Sequence, residues 1–338
     1  MLAHLKTIAQ LATFLGIRSA DLKRLKPEEY YLCFEIPKPG KKEKRIIEAP
    51  RGILKHLLDR LADSLQWYYS DHRTKAAQGY IRSVVNDPDK RTIFTNATKH
   101  LGKKYLLNID LDNFFHQIDE SKVHDIFSDD RYFVFAPDAV ELLTRLVCYH
   151  GRLPMGSPTS PPLSNFATME LDNDLSRWCR HQKITYTRFV DDLSFSSNIQ
   201  LTERHFEMIG DILKMHHFIP DPEKIKWFSE KDIKEVTGLI VGREISLPPE
   251  YLSDLDGEID RLKQVKQYAA IYPDSSVFEW IQKLERVITG RLSFVSKVYG
   301  NDDATYHKLL DKFRQINVVD SEPLSISWRY AGYEYLSS

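Results

Sequence analysis

Phe189-Val190-Asp191-Asp192 stands between two apolar-rich runs, Ile184 to Arg188 before it and Leu193 to Ser196 after it. This pattern predicts a β-hairpin with two carboxylates at its tip. An Asp pair is also what a solvated turn carries, because Asp tolerates the backbone of turn corners. Upstream, Tyr105 to Ile109 reads as a buried strand that ends on Asp110. Three carboxylates on two adjacent strands would hold two divalent ions about 3.5–4 Å apart, the separation that suits in-line attack at phosphorus. Hard oxygen donors without His or Cys point to Mg²⁺, with Mn²⁺ as a substitute. Asp112 is a fourth carboxylate, expected at the surface and not beside Asp110.

Other groups fit chemistry on a nucleotide. Phe114 and Phe115 follow Asp110 closely; Phe114 reads as core, and a ring at Phe115 would lie under a sugar and clash with a 2′-hydroxyl. Lys38 and Arg45 would bring fixed positive charge to a triphosphate, Arg as a fork and Lys as a point charge, if their hairpin folds over the site. Lys41, Lys42 and Lys44 read as a solvated loop. The segment Gly151 to Asn165 carries Pro154, Pro158, Pro161 and Pro162. It is a rigid entry to a helix, or a floor beneath a base pair at which Gly156 lets backbone approach closely.

The elements that must position these groups follow from periodicity. Ile8, Leu11, Leu15 and Ile17 predict a short amphipathic helix, with Ser19 capping a second one through Leu25. Tyr30 to Pro37 and Arg45 to Glu48 predict two strands joined by a Pro39-Gly40 turn, with Lys38 and Arg45 facing each other. Pro50 would open a helix with Ile53, Leu54, Leu57, Leu58, Leu61 and Leu65 on its apolar face. Further helices are expected around Val140 to Val147, as one long helix from Leu163 to Trp178, and at about 202–216. Short strands are expected at Ile225 to Phe228 and Thr237 to Val241. From Leu247 the pattern is helical, at about 249–268, 276–299 and 304–315. Strands in the middle and helices at the end predict an α+β core followed by a helical appendage, with the break near residue 245.

Composition restrains little. The chain of 338 residues has 47 Lys and Arg against 48 Asp and Glu, so any basic nucleic-acid surface must be local. Cys33, Cys148 and Cys179 are few, scattered and odd in number, which fits a reducing cytoplasm without structural zinc. The first residues lack the continuous apolar run of a signal peptide or a membrane span.

Taken in order, Lys38 and Arg45, Asp110 to Phe115, Pro154 to Pro158, Phe189 to Asp192, Lys224 and Thr237-Gly238-Leu239 resemble the fingers and palm of reverse transcriptases. Asn96-Ala97-Thr98-Lys99-His100 is similar to the Asn-Ala-x-x-His element, and Val236-Thr237-Gly238 to the Val-Thr-Gly triplet, of retron reverse transcriptases. The resemblance implies a right-hand polymerase: an N-terminal helical segment at 1–29, fingers and palm at 30–245, a helical thumb at 246–316 and a tail at 317–338. It implies metal ligation by Asp110, Asp191, Asp192 and the Leu111 carbonyl, and a Lys224 that protonates pyrophosphate. Asn96, His100, Val236, Thr237 and Gly238 would lie at RNA-recognition elements. Between Arg261 and Lys297 seven basic residues face three acidic ones, and Lys283, Arg286, Arg291 and Lys297 would track phosphates. A retron enzyme would copy a structured non-coding RNA (msr-msd), starting from the 2′-hydroxyl of an internal guanosine. It would consume dNTPs, yield branched RNA–DNA (msDNA), and work with an effector protein encoded nearby in anti-phage defence.

Phe189 and Val190 stand where the family has tyrosine and commonly alanine, Met155 where it has glutamine, and Asp221 and Ile225 where it has Asn and Thr around Lys224. Two rivals remain: another bacterial reverse transcriptase, of group II, diversity-generating or abortive-infection type, and a catalytically silent RNA-binding scaffold. A chain ending near 338 leaves no room for a maturase or endonuclease domain, and three unneutralised carboxylates would be an odd feature of a scaffold.

Overall fold

Apolar residues fall at strand spacing in the middle of the chain and at helical spacing around it, and the elements follow. The computed structural model describes residues 2–37, 44–83, 86–272 and 275–316. These residues form two compact units. One holds the described residues up to Thr237 together with Val241–Glu244; the other holds Gly238–Ile240 and the described residues from Ile245 onward.

The first unit begins with α1 (Ile8–Leu15), closed at its start by a capping box between Thr7 and Gln10, and α2 (Ser19–Arg24). Strands β1 (Tyr31–Pro37) and β2 (Lys44–Pro50) pair antiparallel from Tyr31 opposite Pro50 to Pro37 opposite Lys44. Arg45 therefore stands opposite Ile36; Lys38 and the expected Pro39-Gly40 turn lie outside the described residues. Pro50 closes β2 instead of opening a helix, and α3 runs over Gly52–His72 with the expected leucines buried but Ile53, in its first turn, exposed.

There follow α4 (Ile93–Thr98), β3 (Tyr105–Asp110), α5 (Glu120–Ser128), α6 (Pro137–Val147), α7 (Ser160–Ala167) and α8 (Met169–His181). The expected single helix from Leu163 to Trp178 is thus two. The break falls at Thr168, whose hydroxyl donates back to the Ser164 and Asn165 carbonyls and competes with the helical ladder. The unit continues with β4 (Thr185–Phe189), β5 (Asp192–Ser197), α9 (Glu203–Met215), β6 (Lys226–Phe228) and β7 (Glu235–Val236).

Four of these strands make one antiparallel sheet in the order β4-β5-β3-β6. Leu106, Leu107, Ile109, Leu193 and Phe195 are at most 1% exposed, so the strands that end on the acidic residues are fixed by burial. Burying a residue of this size contributes roughly 1.5–3 kcal/mol.

Short strands β8 (Leu239–Val241) and β9 (Ile245–Ser246) lie where the chain passes between the units. The second unit is helical: α10 (Pro249–Ile271), α11 (Ser275–Tyr299) and α12 (Ala304–Gln315). Leu255, Ile259 and Leu262 of α10, Ile288, Leu292 and Val295 of α11, and Leu309 of α12 are among its buried residues. Lys312 of α12 pairs with Asp256 and Asp260 of α10, each at 2.8 Å. The tail expected at 317–338 lies outside the described residues.

Candidate active site

Asp110 ends β3 and Asp192 begins β5, and the register places the two directly opposite each other. Asp191 lies one residue earlier, in the turn from β4, and its carbonyl accepts the Leu111 N–H at 2.9 Å. The three carboxylates thus come from neighbouring strands of one sheet. Among the described residues, no three His, Cys, Asp or Glu side chains converge closely enough to make a metal-holding cluster. At Asp110 the Lys224 ammonium takes Oδ1 at 2.5 Å, and it pairs with Asp221 Oδ2 at 3.3 Å.

The electrostatics of the acidic turn are unfavourable to bare charge. Burial, then the charge of Asp110, raises the Asp191 carboxyl above its ordinary value, against the opposing pull of Lys224 and Arg45. Burial, then Asp191 and Asp110, pushes Asp192 up to about 7. Like charges crowded in a partly desolvated place favour either a proton or a cation. The donors are all hard oxygens, so the residues fit divalent ions such as Mg²⁺ or Mn²⁺. Partial burial lowers the Lys224 ammonium, but its hydrogen bonds to Asp110 and Asp221 outweigh this and raise it, keeping it protonated.

The turn itself is held from behind. Val190 has φ +65°, an uncommon conformation for a β-branched residue. Its carbonyl accepts from Arg188 Nη1 at 3.0 Å, and Arg188 is fully buried. The same guanidinium donates to both carboxylate oxygens of Asp172 at 2.9 and 2.8 Å and to Asn165 Oδ1. Asn165 in turn donates to the Gly79 carbonyl at 3.1 Å. A Cβ on Gly79 would meet Val190 Cγ2 at 2.8 Å and its nitrogen at 2.9 Å, so only glycine lets that segment lie against the turn.

Arg188, Asp172 and Gly79 do not stand out in the sequence as functional. One signal was there: Asp172 falls on the apolar stripe Met169, Leu175 and Cys179 of α8, and a charge on such a stripe needs a buried partner.

A cleft of about 1190 Å³ opens over the acidic residues. Arg45, Leu111, Asp112, Phe115, Gly156, Asp191, Asp192, Lys224 and Thr237 all line it. Asp112 is exposed, but it lies in the cleft wall beyond the end of β3 and not away from the site, and it accepts from Asn113 Nδ2. Phe114 is buried and Phe115 half-buried. Gly156 has φ +124°, and a Cβ there would meet Ile47 Cγ2 at 2.9 Å and the Glu48 carbonyl at 3.1 Å. It is the loop's close approach to β2 that requires glycine here.

The expected RNA-recognition residues divide. Val236 is buried, and Asn96 and His100 are at most 1% exposed, so their side chains offer no surface to a ligand. His100 bridges the hairpin from below, Nδ1 to Ser196 Oγ on β5 and Nε2 to Thr187 Oγ1 on β4, both at 2.7 Å. Thr237, with φ +49°, reaches the Ile93 carbonyl from the cleft wall, and Gly238 has φ +77°.

In the second unit Lys283, Arg286 and Lys297 are exposed on α11. Arg291 is not a free phosphate contact: it pairs with Glu258 at 2.8 Å, donates to the Tyr251 carbonyl and lies over the Tyr251 ring.

The sequence profile of the reverse transcriptase (RNA-dependent DNA polymerase) family matches residues 36–252. The retron Ec86 reverse transcriptase of Escherichia coli is 27% identical over 189 residues, 52% of this chain and 58% of that one. The retron Ec83 reverse transcriptase of Escherichia coli is 28% identical over 231 residues, 64% of this chain and 70% of that one. The retron Ec48 reverse transcriptase, also from Escherichia coli, is 24% identical over 354 residues, 97% of this chain and 83% of that one. The chain thus spans little more than half the length of the first of these relatives.

Proposed function

The chain belongs to the reverse transcriptase, or RNA-dependent DNA polymerase, family and resembles its retron members, and on that premise we propose that it copies RNA into DNA at the Asp110–Asp191–Asp192 site. Asp110, Asp191, Asp192 and the Leu111 carbonyl would hold two Mg²⁺ ions, with Mn²⁺ as a substitute. Such ions lower the pKa of an attacking hydroxyl and neutralise a leaving pyrophosphate. The chain's own groups do the rest. Lys224, kept protonated beside Asp110, would give a proton to the leaving pyrophosphate. Arg45, and Lys38 before it, would hold the triphosphate of a dNTP. Phe115 would exclude a 2′-hydroxyl, and Gly156 would let the loop backbone lie under the templating pair.

The substrate in this reading is a cognate retron RNA, primed from an internal guanosine 2′-hydroxyl to give msDNA, in a cytoplasmic anti-phage system with an effector protein. The N-terminal segment, fingers and palm, and thumb would divide the work at residues 29 and 245. Lys283, Arg286 and Lys297 would follow the duplex backbone. No helix among the described residues is long and apolar enough to cross a membrane.

The observation that carries the reading is the strand register that sets Asp110 opposite Asp192 beneath the cleft. The test is the Asp191→Ala/Asp192→Ala protein, which should lose DNA synthesis by at least about 10³-fold, as expected when charge stabilisation at the reacting centre is removed, and still bind RNA. Synthesis at the wild-type rate would overturn the two-ion site. Nucleic acid that co-purifies with the wild-type protein should contain an RNase-sensitive branch joined to single-stranded DNA. Linear RNA alone would overturn the retron priming.

A further inference from the structure

Glu48 sits behind the wall of the cleft, not in it. It is 4% exposed and does not line the cavity, although its neighbours Ile47 and Ala49 do. Its carboxylate is shared between two segments that do form the wall, the loop carrying Arg152 and Met155 and the turn carrying His116. Arg152 donates to it through Nη1 at 3.1 Å and Nη2 at 3.0 Å. His116 Nε2 lies 3.1 Å from Oε2, and the Met155 N–H donates to the same oxygen at 3.2 Å. The Glu48 N–H closes the loop by donating to the Met155 carbonyl at 2.6 Å. Burial pushes the Glu48 carboxyl up, but the Arg152 hydrogen bonds, with smaller help from His116 and Met155, hold it below its ordinary value.

The position of each partner decides what this does. Glu48 itself is on β2, three residues after Arg45. Met155 precedes Gly156, whose missing side chain lets the loop touch β2. His116 follows Phe115 directly within one 3-10 turn, Phe114–Gln117. Strand, loop and ring-bearing turn are therefore tied to one charge, and none of the ties passes through the carboxylates of the acidic site.

We infer that Glu48 is the positioning residue that sets the gap between the Phe115 ring and the β2–Gly156 wall, and so fixes the choice between deoxyribonucleotide and ribonucleotide. This rests on the polymerase reading above and adds a determinant of sugar choice to it. Without the charge, the Arg152 fork and the His116 ring lose their common anchor and the Phe114–Gln117 turn can move away from the loop. The pocket then widens at the sugar, while the acidic site keeps its own supports.

The test is steady-state incorporation of dNTP and rNTP on a primed RNA template by wild type, Glu48→Gln and His116→Asn. Glu48→Gln should cut the dNTP-over-rNTP ratio of kcat/KM about tenfold, the scale of one lost hydrogen bond to a charged group. It should raise KM for dNTP several-fold and leave kcat for dNTP within about threefold, since the reacting groups are untouched. His116→Asn, at a half-buried position, should move the same ratio in the same direction with an unaltered melting temperature. That variant carries the test if Glu48→Gln does not fold. An unchanged ratio in His116→Asn, or in a folded Glu48→Gln whose kcat falls with KM constant, overturns the inference. A wild-type protein that incorporates neither nucleotide defeats the polymerase reading and this inference with it; one that discriminates no better than the variants defeats only the role of Glu48.

Discussion

Two hairpins flank the cleft and are built in opposite ways. In β4–β5 every residue from Leu193 to Ser197 is buried, the turn is pinned by the Arg188–Asp172 pair, and His100 bolts the two strands together. In β1–β2 the residues from Leu32 to Pro37 are exposed, and burial returns only at Tyr31 and at Glu48 and Pro50. A two-stranded ribbon without a covered face is marginal by itself, so this one depends on its base. Metal ligation requires oxygen positions good to a few tenths of an ångström, and the acidic residues stand on the buried, cross-linked element. Attraction between an arginine and a phosphate falls off slowly with distance, and Arg45 stands on the exposed one.

The largest expected effect lies beneath the rigid hairpin. Arg188→Met leaves Asp172 as an unpaired buried charge, and removal of one partner of such a pair costs about 3–5 kcal/mol. Chemical denaturation should show that loss. The double variant Arg188→Met/Asp172→Leu restores an apolar match and should recover most of the stability. It should not recover polymerisation, because nothing then holds the Val190 carbonyl and the left-handed turn. Full activity in a refolded double variant would mean that burial alone fixes the acidic turn and that the contrast between the hairpins is one of packing only.

A smaller effect comes from His100. Burial, with lesser contributions from Lys103 and Lys99, pushes its imidazole down from 6.5 to about 3. The unfolded chain therefore binds the proton more readily than the folded one. The stability of the folded state is complete above pH 6.5 and declines as pH falls toward 3, at about 1.4 kcal/mol per pH unit. At pH 5 the loss should be roughly 2 kcal/mol relative to pH 7. In urea titrations at these two pH values, His100→Gln should lack that share of the pH dependence. Equal pH slopes in the two proteins would remove His100 from the bolting of β4 to β5.

How much of this was legible beforehand follows the range of the interactions. Asp110 and Asp191-Asp192 could be read because strand alternation and a turn are local patterns, and so could the α+β order and the late helices. The split at Thr168 could not, since a hydroxyl bonding to its own helix leaves no mark in the spacing of apolar residues. Asn96 and His100 were expected to meet RNA, but they are polar residues in and just beyond a six-residue helix, too short to reveal which face is inward. Arg291 carried the right charge for a phosphate, yet Glu258 and Tyr251 on the neighbouring helix take it. Glu48 gave no signal because its partners His116 and Arg152 are 68 and 104 positions away.

The smallest effect on stability, and the one that most sharpens the contrast, is expected at Arg45. Its side chain is exposed on the open ribbon and opposite Ile36, and surface changes of this kind stay within about 0.5 kcal/mol. Arg45→Ala should therefore melt with the wild type. Its charge nevertheless reaches Asp191, so it stands within electrostatic range of the acidic site. KM for dNTP should rise about three- to tenfold at low salt with kcat little changed, as when binding is lost equally from ground and transition states. The difference from wild type should shrink as salt is raised to about 0.5 M, where the Debye length falls well below the ~8 Å of physiological salt. A KM that does not change at low salt would place the triphosphate elsewhere. A loss of more than about 1 kcal/mol of stability would show that Arg45 supports the ribbon, because an exposed charge without a structural role does not produce an effect of that size.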